Sequence, residues 1–141
     1  MASNRKPRKQ HKPRARVMTP VERAAVRAAW SQIEREMYVL QPGADCASIV
    51  NGLYRVIAPA HTIAEDRGMD AEVIDLLDAG MGALNTLVRS GCLWCSDDLE
   101  LLVDAGWAGQ QIMAQASELE QRQAVAHCLA LSDIAIAQGL A

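Results

Sequence analysis

The chain has no Phe, and its 141 residues carry only three Trp and two Tyr. β-Branched residues are thin as well, and they never alternate with polar ones over a strand length. Sheets rest on aromatic and β-branched side chains in that alternation, so a β-rich fold is not expected. No uncharged apolar run approaches the ~20 residues that a membrane-spanning helix needs, which argues against a membrane protein. No apolar segment follows the charged N-terminus either: Val17-Met18 meets Thr19-Pro20 at once, so a secretory leader is not expected. Four cysteines in a chain long enough to bury a core do not read as a disulfide framework, and a reducing cytoplasm is the default expectation.

Lysine is missing from everything beyond residue 12. The formal net charge of −3 therefore hides a segregation. Residues 1–16 hold Arg5, Lys6, Arg8, Lys9, Lys12, Arg14 and Arg16 and no acid, a charge of +7. The remainder sets seven Arg against all 17 acids, a net −10. Pro7, Pro13 and the lack of any apolar periodicity leave the arm without a surface to bury, so it is expected to be disordered. The organisation that follows is a basic arm over 1–17 and one folded domain over 18–141, unless Met18 is the true start. A cationic arm is the electrostatic footprint of nucleic acid, another polyanion or an anionic lipid surface. Nucleic acid would be held by phosphate neutralisation, weakly and in a salt-sensitive way, because no aromatic residue interleaves the charges for base stacking. The plainer readings are a solubility tail or a segment that folds back on the acidic body.

Half of the residues are hydrophobic, and alanine, the best helix former, supplies much of that half. Thr19-Pro20-Val21-Glu22 opens a first helix as cap, first-turn proline and capping-box acid. Val26, Trp30, Ile33, Met37 and Leu40 then recur at spacings of four and three until Gln41-Pro42-Gly43. A second helix starts near Asp45, with Ile49, Val50, Leu53, Val56, Ile57 and Ala60 inward; Pro59 is expected to kink or end it, and Gly68 closes the region. Asp70 is expected to cap a third, with Val73, Leu76, Leu77, Gly80, Leu84 and Leu87 inward and Ser90-Gly91 as its stop. Ser96 is expected to cap a fourth, with Leu99, Leu102, Val103, Gly106 and Met113 inward. Ser117-Glu118-Leu119-Glu120 is a second capping box, opening a last helix to about Ala137. Five helices with short links predict an all-α, single-domain bundle of mostly antiparallel neighbours. Leu77-Asp78-Ala79-Gly80 recurs as Val103-Asp104-Ala105-Gly106, and the small residues Gly80, Gly82, Ala83, Gly106, Ala108 and Gly109 predict close approach of the third and fourth helices. Small-residue faces and Trp also suit a homodimer contact.

Candidate chemistry is sparse. Cys92-Leu-Trp-Cys95 has the spacing of half a zinc site or of a thioredoxin-type pair, but no second CxxC or HxxxH accompanies it and no strands frame it. Cys92 and Cys95 are thus weak metal or thiol candidates, with His127-Cys128 the nearest partner. The preferred reading is a loop in which Leu93 and Trp94 plug a gap between helices, with Cys46 and Cys128 as small core residues. His61, with Glu65 four residues on, has the spacing of a base and its orienter, but a surface helix contact is the commoner meaning. Glu72, Asp75 and Asp78, then Asp97, Asp98, Glu100 and Asp104, form acidic runs. They read as a solvated face that is also the candidate partner-binding surface. No cofactor is implied, since no glycine-rich phosphate loop or Glu-x-x-His pair is present.

Ala79, Ala83-Leu84, Arg89, Trp94 and Leu99-Glu100-Leu101 give a helix ending in Arg, a Trp-containing link and a helix opening around Glu. On those residues the body, over about 45–131, resembles a loose group of short helical proteins encoded in phages and prophages of proteobacteria. The cysteine pair and the basic arm are not part of that pattern. The resemblance implies a mobile-element protein without established enzyme activity and carries over no site residues. The expected function is a non-enzymatic interaction protein that inhibits a host defence complex or another nucleic-acid-handling assembly, its acidic body imitating nucleic acid. The alternative is a nucleic-acid-binding regulator anchored by the arm, and a third reading is a small metal or thiol protein at Cys92 and Cys95.

Overall fold

The computed structural model describes the backbone of residues 18–137 and the side chains of 18–131. Within them the chain forms five α-helices: α1 (Pro20–Val39), α2 (Ala47–Arg67), α3 (Ala71–Arg89), α4 (Leu99–Gln115) and α5 (Glu118–Ala137). The all-α bundle is as the periodicity requires. The seven basic residues Arg5 to Arg16 lie outside the described residues.

Local chemistry sets most boundaries. Thr19 caps α1, its hydroxyl accepting the Glu22 amide at 3.2 Å. The Glu22 carboxylate in turn accepts the Thr19 hydroxyl at 3.2 Å. At α5 both halves of the expected box form: Glu120 N–H donates to Ser117 Oγ, and Ser117 N–H donates to Glu120 Oε1, each at 3.1 Å. Gly68 (φ 63°) ends α2 in the left-handed conformation that favours glycine. Three expectations are corrected. Of the two outcomes expected at Pro59, a kink or an end, the end is overturned: Pro59 sits buried inside α2, which runs on to Arg67, because the flanking Ile57, Ala60 and Ile63 are buried together and outweigh one lost backbone bond. Ser96 does not cap α4: Ser96–Asp98 form a 3-10 turn, and the α-helix begins at Leu99. Asp70 precedes α3 without a side-chain capping bond.

The core is centred on α2 and α4. α2 packs on α3, α4 and α5, while α1 lies on α4. Trp30, Leu53, Ile57, Leu77, Leu84 and Leu102 are fully buried in one cluster. Small residues on α4 set its distance from three neighbours. A Cβ at Gly106 would run into the Trp30 ring, with Leu53 at 3.1 Å, and one at Gly80 would come within 2.6 Å of Ala105 Cβ. One at Gly109 would stand 3.2 Å from Val56. Of the glycines in the recurrent tetrapeptides, Gly80 thus meets the other copy, at Ala105, while Gly106 and, beyond it, Gly109 serve α1 and α2. Gly82 faces open space and brings nothing closer.

The α1–α2 and α3–α4 connections are laced together at one end of the bundle. Trp94 N–H donates to Ala44 O and Gly43 N–H to Trp94 O, both at 2.8 Å, and Cys46 N–H donates to Cys92 O at 2.9 Å. Asp45 and Leu93 form an isolated antiparallel bridge. Trp94 is 3 % exposed and fills the gap, as expected, but Leu93 is 53 % exposed and does not.

Candidate functional site

The acidic residues singled out by sequence lie at the surface. Glu72, Asp75, Asp78, Asp97, Glu100 and Asp104 are exposed and Asp98 is half-buried. On α3, Glu72, Asp75 and Asp78 follow at helical spacing; Asp97, Glu100 and Asp104 do the same across the 3-10 turn and the start of α4. Asp97, Asp98 and Glu100 also stand at the positive end of the α4 dipole. No polar or charged residue is buried among the described residues. Six of these seven carboxylates make no hydrogen bond or ion pair with a described residue; the seventh, Asp78, is held by α2.

Its partner there, His61, lines a groove of about 820 Å³ between α2 and α5, reached also by Met81 of α3. His61 Nε2 lies 2.8 Å from Asp78 Oδ1 and 3.1 Å from Glu65 Oε1, its side chain 15 % exposed. Neither contact is a formed hydrogen bond. The sequence paired His61 with Glu65; Asp78 was hidden because it comes from the next helix. Deeper in the groove Thr62 donates its hydroxyl to Ala58 O at 3.4 Å and stands 3.9 Å from Cys128 Sγ. One end is closed by Arg67, whose Nε and second amino group donate to the two Glu120 oxygens at 2.9 and 2.7 Å. These bonds hold the Glu120 carboxyl below the usual carboxylate range against the opposing effect of burial. The clamp joins α2 to α5 across 53 residues, and only the capping role of Glu120 was legible beforehand. A second unforeseen contact sets the Arg27 guanidinium over the Trp107 ring at 4.8 Å.

All four cysteines are free thiols. Cys46 is buried, Cys92 half-buried and Cys95 exposed, grouped at the laced loops. Cys128 is only half-buried, so its assignment to the core is corrected: it lines the groove beside Thr62. Along α2, Thr62 stands some 16 residues, or about 24 Å at 1.5 Å per residue, from Cys46. His127 and Cys128 are therefore not brought to Cys92 and Cys95. Among the described residues no three His, Cys, Asp or Glu side chains converge as a metal site requires. Nor is any described helix long and apolar enough to cross a membrane.

No family model matches the chain, and neither a curated protein nor a solved structure does.

Proposed function

We propose that this is a non-enzymatic interaction protein of phage or prophage type, whose acidic body occupies a basic, nucleic-acid-handling surface on another protein. Inhibition of a host defence complex is the concrete form. The observation that carries this reading is the set of exposed carboxylates on α3 and α4 that have no partner among the described residues, within a body of net −10. Carboxylates neutralised by neighbouring Lys or Arg would present little field; among the described residues these have no such ion-pair partner, and the body contains no Lys. A helix row repeating anionic groups along one face offers a cationic channel what a phosphate backbone offers, and long-range attraction speeds the encounter. The test is affinity capture from host lysate with the native chain and with D97N/E100Q/D104N. A nucleic-acid-handling protein retained at least tenfold better by the native chain supports the reading; equal retention sinks it.

The run of seven basic residues over 5–16 favours a second reading, a regulator anchored on nucleic acid. There, deletion of residues 1–16 abolishes DNA or RNA retention at low salt and flattens its salt dependence. Unchanged retention removes that reading without touching the first.

A further inference from the structure

The CxxC spacing directs attention to Cys95 as the partner of Cys92, but the laced loops offer a different one. In the antiparallel pairing of Asp45 with Leu93, the residues that stand opposite one another next along are Cys46 and Cys92. Cys46 N–H donates to Cys92 O at 2.9 Å, and the Cys46 thiol donates to the same oxygen at 3.2 Å. A regular pair that exchanges both backbone bonds has Cα atoms about 5.5 Å apart. Here one of the two is made, since Cys92 N–H donates to Leu87 O at 2.9 Å, and the Cys46 amide and thiol both on the Cys92 oxygen keep the two residues in contact, near the roughly 4.4–6.8 Å that a disulfide spans. Cys95 is the worse match. The chain from Cys92 runs extended against 44–46, which carries Cys95 about 10 Å along the strand, beyond that span. Cys92 is also the one described non-glycine residue with positive φ (59°), the point where the chain leaves α3 and turns back onto Ala44–Cys46.

We propose that Cys46 and Cys92 are a thiol-oxidation site, forming a cross-strand disulfide that staples the α1–α2 and α3–α4 connections. The oxidant is a low-molecular-weight disulfide of the glutathione class. The half-buried Cys92, as thiolate, attacks one sulfur of that disulfide, whose S–S bond breaks and releases one small thiol. The Cys46 sulfur, giving its proton to solvent, then attacks the Cys92 sulfur and expels the second small thiol. The two cysteines lose two electrons and two protons; the small disulfide takes up both as two thiols. The order follows from exposure. Cys46 is 1 % exposed, and burial, with Cys92 and Asp45 beside it, pushes its thiol up, which suits a resolving thiol already in place and not the first attacker.

The experiment incubates the full chain with oxidised and reduced glutathione at several ratios, blocks free thiols with iodoacetamide and maps peptides without reduction. The expected product links the Cys46 and Cys92 peptides, forms equally in C95S, and raises the Tm by roughly 5–15 °C over the reduced chain. A Cys92–Cys95 link, a glutathione adduct that never resolves, or four alkylated thiols under oxidising conditions would each overturn the proposal. Because the mapping is done on the native sequence, it does not depend on whether a Cys46 variant folds.

Discussion

Gly106 and Trp30 form a single packing event. The indole lies where a Cβ at position 106 would be, so α1 approaches α4 only because that Cβ is missing. Gly106→Ala should gain up to ~1 kcal/mol of helix propensity and still lose about 1–3 kcal/mol net, since the ring and Leu53 must both move. Gly82→Ala, on an open face of α3, should gain up to ~1 kcal/mol. Urea melts of the two variants should shift in opposite directions, and parallel shifts would contradict the packing described. Glu120 supplies a pH-dependent counterpart. Its carboxyl is held below its usual value near 4.5 by Arg67, so the stabilisation is full above that pH and is lost as pH falls through the lower, folded-state value. Glu120→Gln should therefore cost roughly 1–3 kcal/mol near neutrality, with the gap from wild type narrowing progressively in melts below about pH 4. A gap that is constant with pH would mean that the Arg67 bonds contribute little.

The elements differ in how firmly they are tied. α2, α3 and α4 each bury Leu or Ile side chains, whereas α5 contributes Ala124 alone to the core among the described residues and leaves Leu119, Leu129 and Leu131 more than half exposed. Its docking rests on the Arg67–Glu120 clamp and on Gln121 Nε2, which donates to Met113 O at 2.6 Å. Helix α5 should accordingly open first, its amides exchanging with solvent well before those of α2 to α4. Arg67→Ala should speed exchange in α5 at least tenfold while leaving α3 unchanged, and protection in α5 equal to that in α4 would contradict this order. Helices α1 to α4 were legible in sequence because each carries an apolar stripe at helical spacing, with a Gly or Pro stop after α1, α2 and α3, and α5 because Ser117 and Glu120 form a capping box. Local rules alone do not place an end at Pro59 or a cap at Ser96: tertiary burial carries α2 past Pro59, and a 3-10 turn over Ser96–Asp98 precedes α4. The His61–Asp78, Arg67–Glu120 and Cys46–Cys92 pairings were not legible at all. Each joins residues 17 or more apart, and only the packing of one helix or loop on another brings them together.

For the molecule as a whole, charge was the most readable property and the least dependent on fold. Counting alone divides +7 from −10, and the structure adds that the acidic runs, Asp98 apart, are exposed and, apart from Asp78, make no ion pair with a described residue. Two opposed fields on one chain seek different partners or each other, and salt separates those cases. If the arm lies on the acidic runs, deleting residues 1–16 should tighten capture of a basic protein at low salt and change nothing above about 0.5 M, where the Debye length is only a few ångströms. The central claim is that the acidic surface is the working surface. Its most direct test compares, in one capture from host lysate, the native chain, the chain without residues 1–16, and D97N/E100Q/D104N. The account predicts the same nucleic-acid-handling protein on the first two and at least a tenfold loss on the third. Retention that follows the arm and ignores the neutralised carboxylates would contradict it.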